Sequence, residues 1–260
     1  MADADADADY TGLGGASTEE RLRTVGTGIG LTIGGFAVAI VVVILGLFVL
    51  LPAFGIDVQN RPLLLVPVST ILQGLGFGLA VGGYLKLSGR TDLVKVRLPT
   101  LRDLAATVAG VILLLLALAG VSVVFSQFGI ETAQNEIERI GSDNPEVMLY
   151  MIPLAFLVIG PGEELLFRGA IQGLFRESYA VFPAIALSSA LFAVAHITAL
   201  AAGSLGAKAA TISALFALSL ILGASYEYTD NLVVPALVHG AYDAIVFTAI
   251  YAQATGGLGV

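Results

Sequence analysis

The chain has 260 residues, of which 57% are hydrophobic and 12% are charged, and its mean hydropathy is +0.92. Because a soluble domain is usually about a quarter charged, this composition excludes an ordinary water-exposed globular protein and indicates a lipid environment. The chain contains no cysteine, which excludes a disulfide framework, a thiol nucleophile and a metal site built on thiolates.

The chain divides into a polar beginning and a long hydrophobic remainder. Residues 1–24 start with Ala-Asp repeats and continue with Gly, Ser and Thr, which predicts a disordered acidic tail. Beyond the tail, several charge-free runs exceed the roughly 20 apolar residues that a spanning helix needs. The sequence therefore predicts an all-α polytopic bundle with about seven spans, or eight if one long run divides. The predicted spans cover residues 26–53, 62–86, 102–127, 147–175, 180–200, 208–226 and 232–253.

The loops between the predicted spans differ in charge. The loop at 86–103 is the most basic part of the chain, whereas the loop at 128–146 carries five acidic residues and a single arginine. Short loops rich in Lys and Arg remain in the cytoplasm. We therefore expect a multi-pass protein of the cell membrane with the N-terminus and the 86–103 loop in the cytoplasm.

A pair of glutamates lies inside the fourth predicted span, where a charged group costs about 2.5 kcal/mol or more. Glu164 and Arg168 are one helical turn apart and can pair, whereas Glu163 lies about 100° around the helix. One carboxylate can thus be held by arginine while the other is free to act as a base. The alternative is that these charges mark a helix end and extend to the membrane surface.

Both histidines of the chain lie in later apolar segments. His196 follows Phe192 by four residues, and His239 precedes Asp243 by four, so each couple shares a helix face. A single histidine of this kind is more typical of a packing residue, and a His-Asp couple can satisfy itself. Counted from the predicted cytoplasmic helix ends, Glu163, His196 and His239 lie ~20, ~24 and ~14 Å deep. They can therefore meet within the membrane, in a site that we expect to open towards the cytoplasm.

Taken together, these motifs resemble those of the CAAX protease and bacteriocin-processing family, also called Abi, which includes the type II CAAX prenyl endopeptidase. The three motifs are Glu163-Glu164-x-x-x-Arg168, Phe192-x-x-x-His196 and His239-x-x-x-Asp243. Two flanking strings, Phe167-Arg168-Gly169 and Tyr226-x-x-Thr229-x-Asn231-Leu232-x-x-Pro235, extend the likeness. The resemblance covers about residues 147–250. It implies a catalytic core at 147–253 that follows N-terminal transmembrane helices at 25–127.

The resemblance implies an intramembrane endopeptidase that hydrolyses a peptide bond in a peptide or membrane-associated protein. Glu163 would act as the general base, and His196 would help to position the attacking water. Glu164 would pair with Arg168, which could also meet substrate. The acidic, lysine-poor composition suits a high-salt cytoplasm and favours a prokaryotic, haloarchaeal member.

The resemblance also implies that His239 and position 243 stabilise the oxyanion of the tetrahedral intermediate. The prenyl-protease branch has asparagine at this position, whereas this chain has Asp243, which must be protonated, orient His239 or bind a metal. Glu163, His196, His239 and Asp243 are suitable ligands for Zn²⁺ or another divalent cation. The His-Glu-x-x-His pattern of common zinc proteases is missing, so a metal-free glutamate mechanism is equally open.

The sequence gives less support to other membrane functions. A rhomboid-type serine protease needs Gly-x-Ser-Gly, and a presenilin-type protease needs a second intramembrane aspartate, and the sequence supplies neither. A non-catalytic interaction or immunity scaffold and a proton-coupled transporter remain alternatives, since buried Glu and His serve transport as well. We expect the bilayer and a peptide substrate as partners and no nucleic acid, and the sequence does not indicate an oligomeric state.

Overall fold

The structure is a computed structural model that describes residues 15–257, except for the side chain of Pro62. Within that range, seven helices are long and apolar enough to cross a membrane, which confirms the predicted all-α polytopic bundle. A short helix, α4 (Glu136–Asp143), precedes the fourth of them. The spanning helices are α1 (Thr18–Ala53), α2 (Leu63–Ser88), α3 (Leu101–Gln127), α5 (Glu146–Arg176), α6 (Val181–Ala199), α7 (Leu205–Thr229) and α8 (Val233–Ala254).

The first helix begins inside the tail that was predicted to be disordered. The Ser17 hydroxyl accepts a hydrogen bond from the Glu20 amide, and the Glu20 carboxylate accepts one from the Ser17 amide. This capping box satisfies donors that would otherwise be left open at the helix start. The prediction of disorder is therefore wrong for residues 18–24, whereas residues 1–14 lie outside the described residues.

Alternate spans run in opposite directions, so the helix ends define two faces of the bundle. The basic face consists of residues 89–100, 177–180 and 230–232, which the ion pairs Arg90–Glu177 and Lys95–Asp230 hold together. The acidic face consists of residues 54–61, 128–145 and 200–204. On this face, β1 (Gln134–Asn135) pairs antiparallel with β2 (Leu200–Ala202), a two-stranded ribbon that the hydropathy pattern did not predict.

The three motif helices form the interior of the bundle. In the most apolar window of each helix, 44% of α8 and 33% of α5 and α6 is buried, compared with 11% of α3. Large apolar side chains on α1 to α3 remain exposed, which suits contact with lipid. The first helices therefore form much of the outer wall around the core that carries the polar motifs.

Helix α5 departs from regular α-helical geometry on both sides of the glutamate pair. It contains two π-helical segments, Ala155–Ile159 and Leu165–Gln172, separated by one α-helical turn. Pro161 lies in that turn and lacks the amide hydrogen that would continue the regular pattern. Wider π turns re-aim the side chains that follow them and are frequent at functional sites.

The crossing of α5 and α8 brings two backbones into contact at glycines. A Cβ atom on Gly160 would lie 2.5 Å from the Ala236 carbonyl oxygen, and one on Gly240 would lie 2.7 Å from the Ala155 carbonyl oxygen. Such close approach requires the absence of a side chain, as at small-residue contacts between membrane helices. Because His239 adjoins Gly240 in sequence, this contact brings the third motif against α5.

Candidate active site

Glu164 is the buried centre of the polar cluster. Its Oε1 atom accepts hydrogen bonds from Arg168 Nη1 at 3.0 Å and from His239 Nδ1 at 2.8 Å. The Glu164 and Arg168 side chains are completely buried, and that of His239 is 8% exposed. A charge in such a setting is tolerated only when it is paired, so Glu164 links the first motif firmly to the third.

Arg168 is fixed by groups from three helices. Besides Glu164, its Nη2 atom donates to the Ser219 carbonyl oxygen at 3.0 Å and to the Ser219 hydroxyl. Its guanidinium carbon lies 4.6 Å from the centre of the Phe192 ring, a cation–π contact. Because its side chain is fully buried, Arg168 does not face the substrate. Its contacts instead fix the positions of the other residues of the site.

Glu163 and His196 form a second, more open couple. Glu163 Oε2 lies 3.6 Å from His196 Nε2, and their side chains are 18% and 19% exposed. This separation is too long for a direct hydrogen bond but allows both atoms to contact the same water. Glu163 Oε2 also has no protein hydrogen-bond partner. The structure therefore places the carboxylate that is free of arginine next to the histidine of the second motif.

Phe192 fixes both the orientation and the tautomer of His196. Its carbonyl oxygen lies 2.8 Å from His196 Nδ1, and because a carbonyl can only accept, Nδ1 is the donor. In the neutral ring, Nε2 is then left with a lone pair directed towards Glu163. The Phe192 ring also lies 4.3 Å from the His196 ring and 5.9 Å from the His239 ring, measured between centres. Phe192 thus contacts parts of all three motifs.

His239 and Asp243 form the third couple of the site. His239 Nδ1 donates to Glu164, and Nε2 lies 3.5 Å from Asp243 Oδ2. A neutral ring of this tautomer would direct a lone pair at an ionised carboxylate, which is repulsive. The contact is therefore favourable when one proton lies on either His239 Nε2 or Asp243.

Glu163, His196, His239 and Asp243 line a cavity of about 730 Å³. Its walls extend from the middle of the bundle, where Phe77 and Leu222 line it, to the acidic face, where the lining includes Ser126, Ile130, Thr132 and Asn135. No residue of the basic face is among the described residues that line it. The cavity therefore approaches the acidic face, and the expectation that the site opens towards the cytoplasm stays a prediction.

The arrangement does not fit the predicted divalent-metal site. Glu163 and His196 form one couple, and His239 and Asp243 form another on a different helix. Over residues 15–257, no three His, Asp or Glu side chains come close enough together to hold one ion. A catalytic zinc site takes three protein ligands.

Two residues of the cluster carry contacts that the sequence motifs did not assign. Ser219 binds Arg168 through both its hydroxyl and its carbonyl, yet it is an uncharged residue in an apolar helix. Gln172 is fully buried and donates to the Gly223 carbonyl at 3.1 Å. The only signal for Gln172 was its position one turn after Arg168 on the same helix face. Ser219 gave no signal, because its role depends on α7 packing against α5.

The fold defines a multi-pass membrane protein whose acids and histidines surround an intramembrane cavity, an arrangement suited to a membrane hydrolase. Residues 145–245 match the family described as type II CAAX prenyl endopeptidase Rce1-like. The matched segment contains all three motifs, which confirms the resemblance drawn from them. At the level of the family, the match supports an intramembrane protease of the CAAX type. No curated protein and no solved structure matches the chain.

Proposed function

We propose that the protein is a glutamate-dependent intramembrane endopeptidase that cleaves membrane-associated peptides without a metal ion. The observation that carries the proposal is the 3.6 Å separation between Glu163 Oε2 and His196 Nε2 on the cavity wall. A carboxylate and a histidine lone pair that can share one water are the groups needed to generate a nucleophile. The family match supports the protease class, and the paired geometry supports this mechanism within it.

The first step is attack by water on the scissile carbonyl. Glu163 takes one proton from the water, while His196 Nε2 accepts a hydrogen bond from the other and holds the oxygen in place. The oxygen forms a bond to the carbonyl carbon, and the carbonyl electron pair moves onto its oxygen. The intermediate then collapses, the C–N bond breaks, and Glu163 returns its proton to the leaving amine.

The negative charge of the intermediate develops on the side of His239 and Asp243. The group that carries the proton, His239 Nε2 or Asp243 Oδ2, can donate a hydrogen bond to the oxyanion and keeps its proton when the intermediate collapses. Glu164 fixes the orientation of His239 through Nδ1. Glu164 and Arg168 are therefore positioning residues, since neither lines the cavity.

The test is cleavage of a panel of membrane-associated peptides, prenylated and unprenylated, by the purified full chain in lipid. Glu163→Gln keeps the shape of the side chain but removes the base, and we expect a loss of roughly 10²–10⁴-fold in kcat. Glu146→Gln removes an exposed carboxylate at the start of the same helix and is the matched control. Undiminished cleavage by folded Glu163→Gln would contradict the proposal.

Two further measurements separate the alternatives. Cleavage should persist after treatment with a strong chelator, and a loss that added Zn²⁺ restores would overturn the metal-free mechanism. If no peptide is cleaved but proton-coupled solute uptake depends on Glu163, the protein is a transporter. Peptide binding that neither cleaves nor depends on Glu163 would indicate a binding scaffold.

A further inference from the structure

Helix α2 carries a single carboxamide, Gln73, well inside its membrane span. Between Arg61 and Lys86, no other residue has an amide or a charged side chain. Gln73 lies about 15 Å along the helix from its start at Leu63. The residue is outside the matched segment 145–245, and none of the steps proposed for catalysis uses it.

The helical repeat gives α2 two different faces. Gln73 and Phe77, four residues apart, both line the cavity. Leu75 and Leu79, also four residues apart, are 56% and 63% exposed and are not among the described residues that line it. Leu75 points about 160° away from Gln73 around the helix axis. The leucines therefore face lipid, whereas Gln73 faces the cavity.

A contact between glycines places this face of α2 against the turn of α5 that carries Glu163. A Cβ atom on Gly162 would lie 3.4 Å from the Gly74 Cα atom, and one on Gly74 would overlap the Val158 side chain. Gly74 directly follows Gln73 in sequence, and Gly162 directly precedes Glu163. The contact of the two backbones therefore holds Gln73 at the level of the reacting groups.

The Gln73 carboxamide has no hydrogen-bond partner within residues 15–257. Its neighbours Phe77 and Val158 line the same cavity and offer it no polar side-chain atom. A carboxamide has an acceptor oxygen and a donor nitrogen, which match the N–H and C=O groups of a peptide. A peptide backbone that enters apolar surroundings needs such partners, because unpaired backbone groups are unfavourable there.

We propose that Gln73 is a substrate-binding residue that holds the peptide backbone next to the scissile bond. The inference rests on the proposed peptidase function and adds to it a residue from outside the matched segment. Gln73 Oε1 accepts a hydrogen bond from a backbone N–H of the substrate, and Nε2 donates one to a backbone carbonyl. Because these bonds do not involve substrate side chains, α2 recognises an extended peptide and not a particular sequence.

The first test is the kinetics of Gln73→Leu, which keeps the approximate size of the side chain and removes both polar atoms. Each lost hydrogen bond should lower kcat/KM about 2- to 10-fold, mainly through a higher KM. Gln127→Leu makes the same change at an exposed residue that does not line the cavity, and it should cleave normally. Unchanged kcat/KM in folded Gln73→Leu would overturn the proposal.

Substrates that are N-methylated at one backbone position at a time identify the contact. Methylation removes the N–H that donates to Gln73 Oε1. At one position near the scissile bond, it should slow cleavage by the wild type and have a much smaller effect on Gln73→Leu, where that bond is already lost. A merely structural role would lower the cleavage of all these peptides equally. Effects that multiply at every position would therefore overturn the contact.

Reaction of an introduced thiol tests the position of the side chain without any cleavage, since the chain contains no cysteine. In lipid nanodiscs, a water-soluble maleimide should label Gln73→Cys and spare Leu75→Cys, because the thiol at position 75 faces lipid. Failure to label Gln73→Cys would overturn the proposal.

Protection from the maleimide separates this inference from the proposed function. Saturating peptide from the cleavage panel should slow the labelling of Gln73→Cys in a Glu163→Gln background, where the peptide stays intact. If the wild type cleaves no peptide and the peptide still slows labelling, the peptidase function fails and binding at Gln73 stands. If the wild type cleaves a peptide that gives no protection, the function stands and the contact with Gln73 is overturned.

Discussion

Glu163 and His196 come from different helices, α5 and α6, yet their Oε2 and Nε2 atoms lie 3.6 Å apart on the wall of one cavity. His196 is the first residue of a 3-10 turn, His196–Ala199, that ends α6. Since its Nδ1 atom is occupied by the Phe192 carbonyl, Nε2 is the nitrogen that can act towards the cavity. The two side chains therefore form one functional unit.

Because Glu163 and His196 act together, we expect the effects of their substitutions on kcat to be non-additive. Glu163→Gln and His196→Asn should each reduce kcat strongly, and the double variant should be little worse than the poorer single variant. Residues that act on the same step lose most of their effect when either is removed. Single-turnover cleavage of a common substrate by the four proteins measures the coupling. Losses that multiply in the double variant would show that the two residues act independently.

Removal of Arg168 should destabilise the protein more than removal of an exposed arginine. Arg168→Met leaves Glu164 buried with His239 as its remaining hydrogen-bond partner among the described residues, and breaking a buried ion pair costs about 3–5 kcal/mol. Arg139→Met breaks exposed pairs with Glu136 and Asp143, and solvent screening makes such pairs contribute little to stability. Thermal unfolding in detergent should show a large fall in Tm for the first variant and little change for the second. Equal falls in Tm would mean that the buried ion pair contributes no more to stability than the exposed pairs do.

A methyl group at Gly240 should separate α5 from α8. The added Cβ would lie 2.7 Å from the Ala155 carbonyl oxygen, so Gly240→Ala requires a backbone shift that costs about 1–3 kcal/mol. Cleavage should fall as well, because His239 would move with the helix. Gly120→Ala is the control, since a Cβ there meets nothing within 4 Å. Tm and kcat of both variants give the comparison, and normal values for Gly240→Ala would contradict the close crossing.

Asp243→Asn should retain more activity than Asp243→Ala. The asparagine amide can donate a hydrogen bond to the oxyanion, which replaces the proton shared with His239. We expect Asp243→Asn to retain substantially more kcat than Asp243→Ala, with similar Tm values for the two. If both variants are equally inactive while folded, the carboxylate has a role other than sharing that proton.

The sequence by itself determined the membrane environment, the number of spans and the polar residues that deserve attention. Hydropathy and charge are local properties, so a run without charged residues identifies a span whatever it packs against. The helical repeat is local too, which is why the pairing of Glu164 with Arg168 could be predicted from a spacing of four residues.

Only the tertiary structure decided which groups meet and which cavity they line. The contact of His239 with Glu164 depends on a crossing of α5 and α8 at Gly160 and Gly240, between segments far apart in sequence. The position of Ser219 behind Arg168 depends on the packing of a third helix. The position of the cavity depends on which parts of the helices and of the 128–145 loop come together to line it. Helix crossings and loop closures are set by contacts between distant residues, and no local pattern in the chain encodes them.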